Sequence, residues 1–312
     1  MLRFAPMERV FVTGGTGFVG RAVLRSLVAQ GFLVRCLVRR GSEADLRGFE
    51  AIDRVPGDVL QADGLVAAAE GCTAIVNLVG IIREHPSRGI TFRRLHVTAT
   101  ENMLQVARAA GIERFVQMSA LGARTDARAE YHRTKWQAEE AIRASGLDWT
   151  IFRPSIIFGP GDGLVSMLAR MIRLAPAVPV IGNGRYQLQP IAVEQVAEAF
   201  ARALRVPATV GRAYEAAGST AYPYVEILDQ IGAAIGRPRV RKVHAPLTLV
   251  RGMTRLLQWL PAYPLTMDQI TMLVEGSTAD PSAFYRDLDI RPESFSSGLA
   301  RMFGQRRARG TP

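Results

Sequence analysis

A phenol and an ammonium group stand four residues apart in Tyr131-His-Arg-Thr-Lys135, a spacing that puts both on one face of a helix. A phenol of ordinary pKa, ~10, is a poor base at neutral pH, and an adjacent cation favours its ionised form. The expectation is that Lys135 lowers the pKa of Tyr131. Tyr131 would then exchange a proton with a carbonyl or an alcohol while hydride passes to or from a dinucleotide. Taken alone, Tyr-x-x-x-Lys is a frequent accident, so its weight depends on what precedes it.

What precedes it is a phosphate-type loop. Val10 to Thr13 is a β-branched and aromatic run, followed at once by Gly14-Gly15-Thr16-Gly17-Phe18-Val19-Gly20 and a helical pattern from Arg21 to Gln30. Gly14 permits the tight turn, Gly17 lets backbone approach a pyrophosphate, and Gly20 allows close helix–sheet packing. The helix N-terminus then offers free N–H groups and its positive dipole end. An empty structural turn is the plain alternative. The second strand ends in Leu37-Val38-Arg39-Arg40, where an acid would bind the adenosine ribose and repel a 2′-phosphate. Arg39 can grip a phosphate bidentately and stack on adenine, and Arg40 adds charge, so NADP(H) is favoured over NAD(H). A solvated pair at a strand end is the alternative.

These residues need a scaffold, and the chain supplies one. Strand patterns at 32–38, 53–55, 73–78, 114–119 and 149–154 alternate with helical patterns at 65–69, 95–110 and 130–145. That rhythm predicts an α/β fold, a Rossmann-type doubly wound parallel sheet covered on both faces. After Gly159-Pro-Gly161 the rhythm changes, with helices expected over 164–174, 193–204 and 224–235 and a late strand at 212–217. The expected organisation is a nucleotide-binding domain over 1–160 with returning segments at about 185–220, and a smaller C-terminal α/β lobe over 161–300. A basic, flexible tail follows over 301–312. Asp162, Asn183, Arg185, Tyr186 and Gln189 are the polar candidates for contacting a substrate from the lobe, each equally suited to a turn. The segment Leu247 to Leu260, before Pro261 and Pro264, reads as a helix for the core or for a partner or membrane surface.

Composition bounds the rest. The 312 residues are 48% hydrophobic and 21% charged, which supports a folded core. No apolar run approaches the ~20 residues of a transmembrane helix, and none precedes the first strand as a signal peptide would. A cytoplasmic protein is expected, peripheral at the inner respiratory membrane at most. Cys36 and Cys72 read as small core residues in a reducing compartment, and no Cys/His spacing suggests a metal. The net charge of +11 comes mostly from scattered arginine. Without an array of aromatic and basic residues it fits anionic lipid or an acidic protein partner better than nucleic acid.

Together, Thr13 to Gly20, Asp58-Val59, Asn77-Leu78-Val79-Gly80, Ser119, Tyr131-x-x-x-Lys135 and Arg153-Pro154-Ser155-Ile156-Ile157-Phe-Gly-Pro160 resemble the extended or atypical short-chain dehydrogenase/reductases, NAD(P)-dependent epimerase/dehydratase-like proteins. The resemblance covers nearly the whole chain in order. It implies Asp58 and Val59 near the adenine, Asn77 to Gly80 along the cofactor, Lys135 on the nicotinamide ribose, and Pro154, Ser155, Ile156 and Ile157 flanking the nicotinamide. Within that superfamily, Met118 to Ala123, Trp149 to Pro154 and Pro264 to Ile270 are most similar to the nucleotide-binding accessory subunit of respiratory complex I and its bacterial relatives. That subgroup is implied to hold NADPH tightly and structurally.

Two departures bear on catalysis. The superfamily usually places Ser or Thr directly after the position of Ser119, where the hydroxyl polarises a substrate carbonyl; here that residue is Ala120. Ser119 is one residue early on a strand whose neighbours face opposite ways, so either a bulge re-aims it or the donor is missing. The helix residue that is often Asn, buttressing the lysine, falls at His96, which otherwise reads as a packed core histidine. Two functions follow: an accessory or assembly factor of complex I that holds NADP(H) structurally, or an active oxidoreductase or epimerase with Tyr131 as acid/base, Lys135 as its pKa-lowering partner and Ser119 as hydroxyl donor.

Overall fold

The computed structural model describes residues 8–260, 263 and 265–308, with side chains to residue 304. Pro261, Pro264 and the last residues of the basic tail lie outside the described residues. The chain divides into two compact units, the first built from 8–154, Val193–Glu215 and Ser282–Ile290, the second from Ser155–Ala192, Ala216–Pro281 and the segment from Arg291 onward.

The first unit carries the doubly wound sheet that the sequence predicts. Its strands are β1 (Arg9–Thr13), β2 (Leu33–Val38), β3 (Ile52–Pro56), β4 (Ala74–Asn77), β5 (Arg114–Met118), β6 (Asp148–Pro154) and β7 (Arg212–Ala216). They lie in the order β7-β6-β5-β4-β1-β2-β3, and β1 to β6 pair in parallel. Because β1 has β2 on one side and β4 on the other, the order reverses there, and the carboxyl ends of β1 and β4 open a crevice.

Helices α1 (Phe18–Ala29), α2 (Leu65–Ala69), α3 (Ala99–Ala109), α4 (Glu130–Arg143), α5 (Val193–Ala203) and α6 (Ser282–Asp287) cover the sheet. Phe11, Ile75, Met103, Leu104, Phe115, Ile142 and Ile151 form the core on one face. Central strands covered on both faces read as near-continuous apolar runs, and β4 is buried at every residue. The segment carrying α6, which the sequence reading placed in the second lobe, belongs to the first unit. Phe284 stands edge-on to Phe152 at 6.1 Å, and Tyr214 donates to Asp287 at 3.1 Å.

Helix prediction fails in one instructive place. The pattern over 95–110 reads as one helix, but residues Arg93–Thr98 form a π-helical turn before α3 begins. Such turns insert one residue, re-aim the side chains they carry and recur at functional sites. His96 is in this turn.

In the second unit, strand Val178–Ile181 pairs in parallel with Lys242–Ala245 despite Pro179, which a two-stranded sheet tolerates because each strand has a free edge. Helices Leu164–Leu174, Tyr224–Ala234 and Phe295–Ala308 enclose a second core around Phe158, Leu168, Ile172, Leu228, Ile231 and Leu299.

Candidate functional site

The crevice at the β1/β4 switch has a floor of backbone and glycine. Gly14 adopts φ +73°, and a Cβ there would meet the Leu78 carbonyl carbon at 2.8 Å and the Val79 nitrogen at 2.9 Å. A Cβ on Gly20 would collide with the Gly14 carbonyl and the Gly15 backbone. Gly17, by contrast, is exposed, and a Cβ on it would touch only Gly14 O at 3.4 Å, so its missing side chain leaves room for something outside the protein. Gly17 is the N-cap of α1. No side chain bonds that end of the helix and no acid stands in its first turn. Phe18, Val19 and Gly20 therefore offer N–H groups to an anion. Thr16 is bound through its carbonyl by Arg21 at 2.6 Å, which braces the loop. Gly15 sits against Cys36 Sγ, whose thiol is buried and pushed up to about 12 by desolvation. These residues fit a dinucleotide: Gly14 to Gly20 would hold the pyrophosphate, and Arg39 and Arg40 are exposed at the end of β2.

Asn77 is held by its neighbours in the sheet. Its register partners are Thr13 on β1 and Gln117 on β5, and the three side chains form a buried polar row. Thr13 Oγ1 donates to Asn77 Oδ1 at 2.6 Å, while Asn77 Nδ2 donates to Gln117 Oε1 at 2.8 Å and Thr100 Oγ1 at 3.3 Å. Both amide hydrogens are used within the protein, so the Asn77 side chain braces the crevice floor. Leu78 is buried, Val59 belongs to the apolar core, Val79 packs half-buried against that core, and Gly80 is exposed. The Asp58 carboxylate accepts from Leu60 N at 2.9 Å, and Val59 O accepts from Asn102 Nδ2 at 2.7 Å.

Above this floor, α4 brings Tyr131 and Lys135 to the crevice with His96. Lys135 is 2% exposed, and its Nζ donates to Met118 O at 3.1 Å. A Cβ on Gly80 would meet Lys135 Nζ at 2.8 Å and His96 Nε2 at 3.7 Å, so the missing side chain lets the ammonium pack against the Gly80 backbone. Burial lowers Lys135 to about 8, against the opposing effect of Glu139. Tyr131 packs edge-on to His96 at 5.3 Å, Phe92 at 5.7 Å and His132 at 5.3 Å. Burial raises its phenol to about 12. That is opposite to the direction expected from Lys135, and its cause is desolvation of the phenol.

His96 bridges the π turn to both neighbours. Its Nδ1 lies 2.9 Å from Thr134 Oγ1, and Ile81 N donates to its Nε2 at 3.2 Å. Nε2 also lies 3.1 Å from Ile81 O, so Thr134 and Ile81 hold both ring nitrogens whichever of them carries the proton. Burial, then Lys135, drives its pKa down to about 2, keeping the ring neutral.

Ser119 does not face the crevice as a free hydroxyl. Its Oγ donates to Glu139 Oε1 at 2.6 Å. Glu139, wholly buried, also receives Arg153 through Nε at 2.8 Å and Nη2 at 2.6 Å, and Arg143 at 2.6 Å. Arg143 and Arg153 both stack over Trp136, at 4.8 and 5.5 Å from the ring centre. No bulge re-aims Ser119. The sequence reading missed Glu139, although an acid one turn after Lys135 was the available signal.

Pro154 closes β6, its carbonyl accepting from Leu121 N at 2.9 Å. Ser155, Ile156 and Ile157 begin the second unit. There Ser155 Oγ bonds the Gln189 carbonyl, Ile156 O accepts from Ile191 N at 2.9 Å, and Ile157 pairs with Ile191. Three of the lobe's polar candidates, Asp162, Asn183 and Gln189, are committed to bonds within the fold. Asp162 caps helix Leu164–Leu174 through Val165 N and Ser166 N, at 2.8 and 3.0 Å. Asn183 Oδ1 closes a turn on Arg185 N at 2.9 Å. Gln189 donates to Gly218 O at 2.6 Å and accepts from Ala279 N at 2.9 Å. Tyr186 stacks on Tyr224 at 5.3 Å.

A parallel sheet reversing at β1/β4, an uncapped glycine-rich helix start and a buried lysine beside a tyrosine define a dinucleotide-binding protein of the short-chain dehydrogenase/reductase type. The chain belongs to the NAD(P)H-binding family, whose model matches residues 14–171. It is 28% identical over 303 residues to the NADH dehydrogenase (ubiquinone) 1 alpha subcomplex subunit 9 of Arabidopsis thaliana mitochondria, covering 90% of this chain and 73% of that protein. It is 29% identical over 244 residues to the ceramide reductase of Caulobacter vibrioides, covering 78% and 76%. The fold matches the dTDP-glucose 4,6-dehydratase DesIV of Streptomyces venezuelae, solved with NAD and TYD bound, at a TM-score of 0.73 and 23% identity, over 96% of this chain and 97% of that one.

Proposed function

We propose that this chain holds NADP(H) in preference to NAD(H), as a fixed part of an accessory or assembly factor of respiratory complex I at the inner membrane. The observation that carries the reading is the fate of Ser119. Its hydroxyl is committed to Glu139 and the next residue is Ala120, so a substrate carbonyl finds no serine or threonine hydroxyl from this strand end. The phenol raised to about 12 adds to this, since a group so far from neutrality is a weak proton acceptor at working pH. Exposed Arg39 and Arg40 at the end of β2 favour a 2′-phosphate. Similarity to the Arabidopsis NADH dehydrogenase subunit supports the association with a respiratory complex, and an acidic partner suits the +11 surface. Among the described residues no helix is long and apolar enough to cross a membrane, so attachment would be peripheral. The test is purification from native membranes under mild detergent, with the bound nucleotide released and identified. NADP(H) released from protein that co-migrates with a respiratory complex is expected; NAD(H), or protein migrating alone, overturns the proposal.

A second reading is an active oxidoreductase or epimerase, favoured by Tyr131 and Lys135 sharing one face of α4 and by similarity to a ceramide reductase. The nucleotide supplies the hydride chemistry when bound. Tyr131 would give or take the proton at the substrate oxygen, and Lys135 would orient the nicotinamide ribose.

A further inference from the structure

Helix Leu247–Leu257 is turned inside out. Its one fully buried side chain is Thr254, a polar residue whose Oγ1 meets the Tyr263 hydroxyl at 2.9 Å. Leu249, Met253 and Leu256 are exposed to 57%, 46% and 79%, and Trp259 and Leu260 in the closing turn to 75% and 53%. At 3.6 residues per turn the first three fall within a sector of about 60°, so they form one apolar stripe rather than scattered exposure. Of eleven exposed large hydrophobic residues among those described, these five fall within residues 249–260, and Val243 on the neighbouring strand Lys242–Ala245 is a sixth. A surface helix of a globular protein carries the opposite arrangement, leucine inward and threonine outward.

The charge around the stripe selects what covers it. From Gly236 to Met267 the chain has no Asp or Glu, and its basic residues are Arg237, Arg239, Arg241, Lys242, Arg251 and Arg255. Lys242 is paired with Asp229 at 2.5 Å; the five arginines are exposed. A second copy of this face would bring like charges together around the leucines. An anionic phospholipid surface satisfies both features, acyl chains taking Leu249, Met253 and Leu256 while headgroup phosphates take the guanidiniums. Exposed Trp259 at the end of the stripe suits the headgroup boundary, where an apolar ring and a polar N–H are both accommodated.

We propose that residues 247–260 form an interfacial helix by which this chain docks on an anionic phospholipid bilayer. This inference stands on the second unit alone and does not rest on the nucleotide reading. The test is sedimentation of the full chain with vesicles of phosphatidylcholine alone and of phosphatidylcholine mixed with phosphatidylglycerol. The full chain sediments with the mixed vesicles and less as salt is raised. Leu256→Glu/Trp259→Glu lowers that partition at least about tenfold, with circular dichroism unchanged because both residues are exposed. Arg251→Gln/Arg255→Gln lowers it less and flattens the salt dependence. Failure of the full chain to sediment with phosphatidylglycerol vesicles overturns the proposal, as does undiminished binding by the glutamate variant. A concentration-dependent dimer that the glutamate variant dissolves, with no vesicle binding, assigns the stripe to a second copy instead.

Discussion

The Ser119 hydroxyl donates to Glu139 Oε1 at 2.6 Å, and Glu139 stands one helical turn beyond Lys135 on α4. The hydroxyl nearest the position from which a carbonyl would be polarised is thus built into a buried carboxylate that also anchors Arg143 and Arg153. The strand end serves the scaffold, and α4 is clamped to β6 through Glu139 and Arg153.

Removing that carboxylate leaves two guanidiniums without their shared partner. Glu139→Gln is expected to cost about 3 kcal/mol in urea unfolding, because one side of a buried ion pair is lost. Ser119→Ala, which removes one hydrogen bond, is expected to cost about 1 kcal/mol. A larger effect for Ser119→Ala would contradict the assignment of Glu139 as the anchor.

The glycines of the loop separate folding from binding. Gly17→Ala meets only Gly14 O at 3.4 Å, so thermal stability without nucleotide should be nearly unchanged while nucleotide retention is lost. Gly14→Ala forces a Cβ to 2.8 Å from the Leu78 carbonyl carbon at φ +73°, and both properties should fall together. Calorimetry beside measured nucleotide content distinguishes the two.

The proposed preference for NADP(H) rests on Arg39 and Arg40. Arg39→Ala/Arg40→Ala should weaken NADPH binding by roughly 10- to 100-fold, the worth of one or two charge-assisted bonds, and leave NADH binding within about twofold. Titration of protein freed of nucleotide measures both affinities.

His96 makes stability depend on acid. Its folded pKa is about 2 against an ordinary value of 6.5, so between those limits the unfolded chain binds the extra proton and stability falls as pH is lowered. The slope from one such group approaches ~1.4 kcal/mol per pH unit. His96→Gln should remove that slope below pH 6.5 relative to the unaltered chain. On the alkaline side Lys135, lowered from 10.5 to about 8, contributes stability that rises with pH across that window. Lys135→Met should abolish the rise. Denaturant titrations at several pH values read both.

The two glycine-rich and Tyr/Lys signals were legible because they depend on local spacing: loop Gly14 to Gly20 follows β1, and Tyr131 and Lys135 share a helix face wherever that helix packs. The doubly wound sheet was legible for the same reason, through the strand–helix rhythm. The fate of Asn77 was not, because its amide bonds Thr13 and Gln117 through cross-strand register, which no single strand encodes. Glu139 looked like any acid on a solvated helix until Arg153 from β6 and Ser119 from the end of β5 converged on it. The shift of Tyr131 also escaped, since a neighbouring cation argues for a lower pKa and only packing against Phe92 and His96 shows that desolvation prevails. The π turn that places His96 breaks a pattern that reads as ordinary helix.

In the proposed function the nucleotide is held rather than turned over. The most direct measurement is oxidation of the bound NADPH, followed by absorbance over a panel of carbonyl substrates, in the unaltered chain and in Tyr131→Phe, with nucleotide content determined in both. Equal retention of NADPH and no substrate-dependent oxidation are expected in both proteins. Oxidation by the unaltered chain that Tyr131→Phe abolishes while still holding NADPH would contradict it.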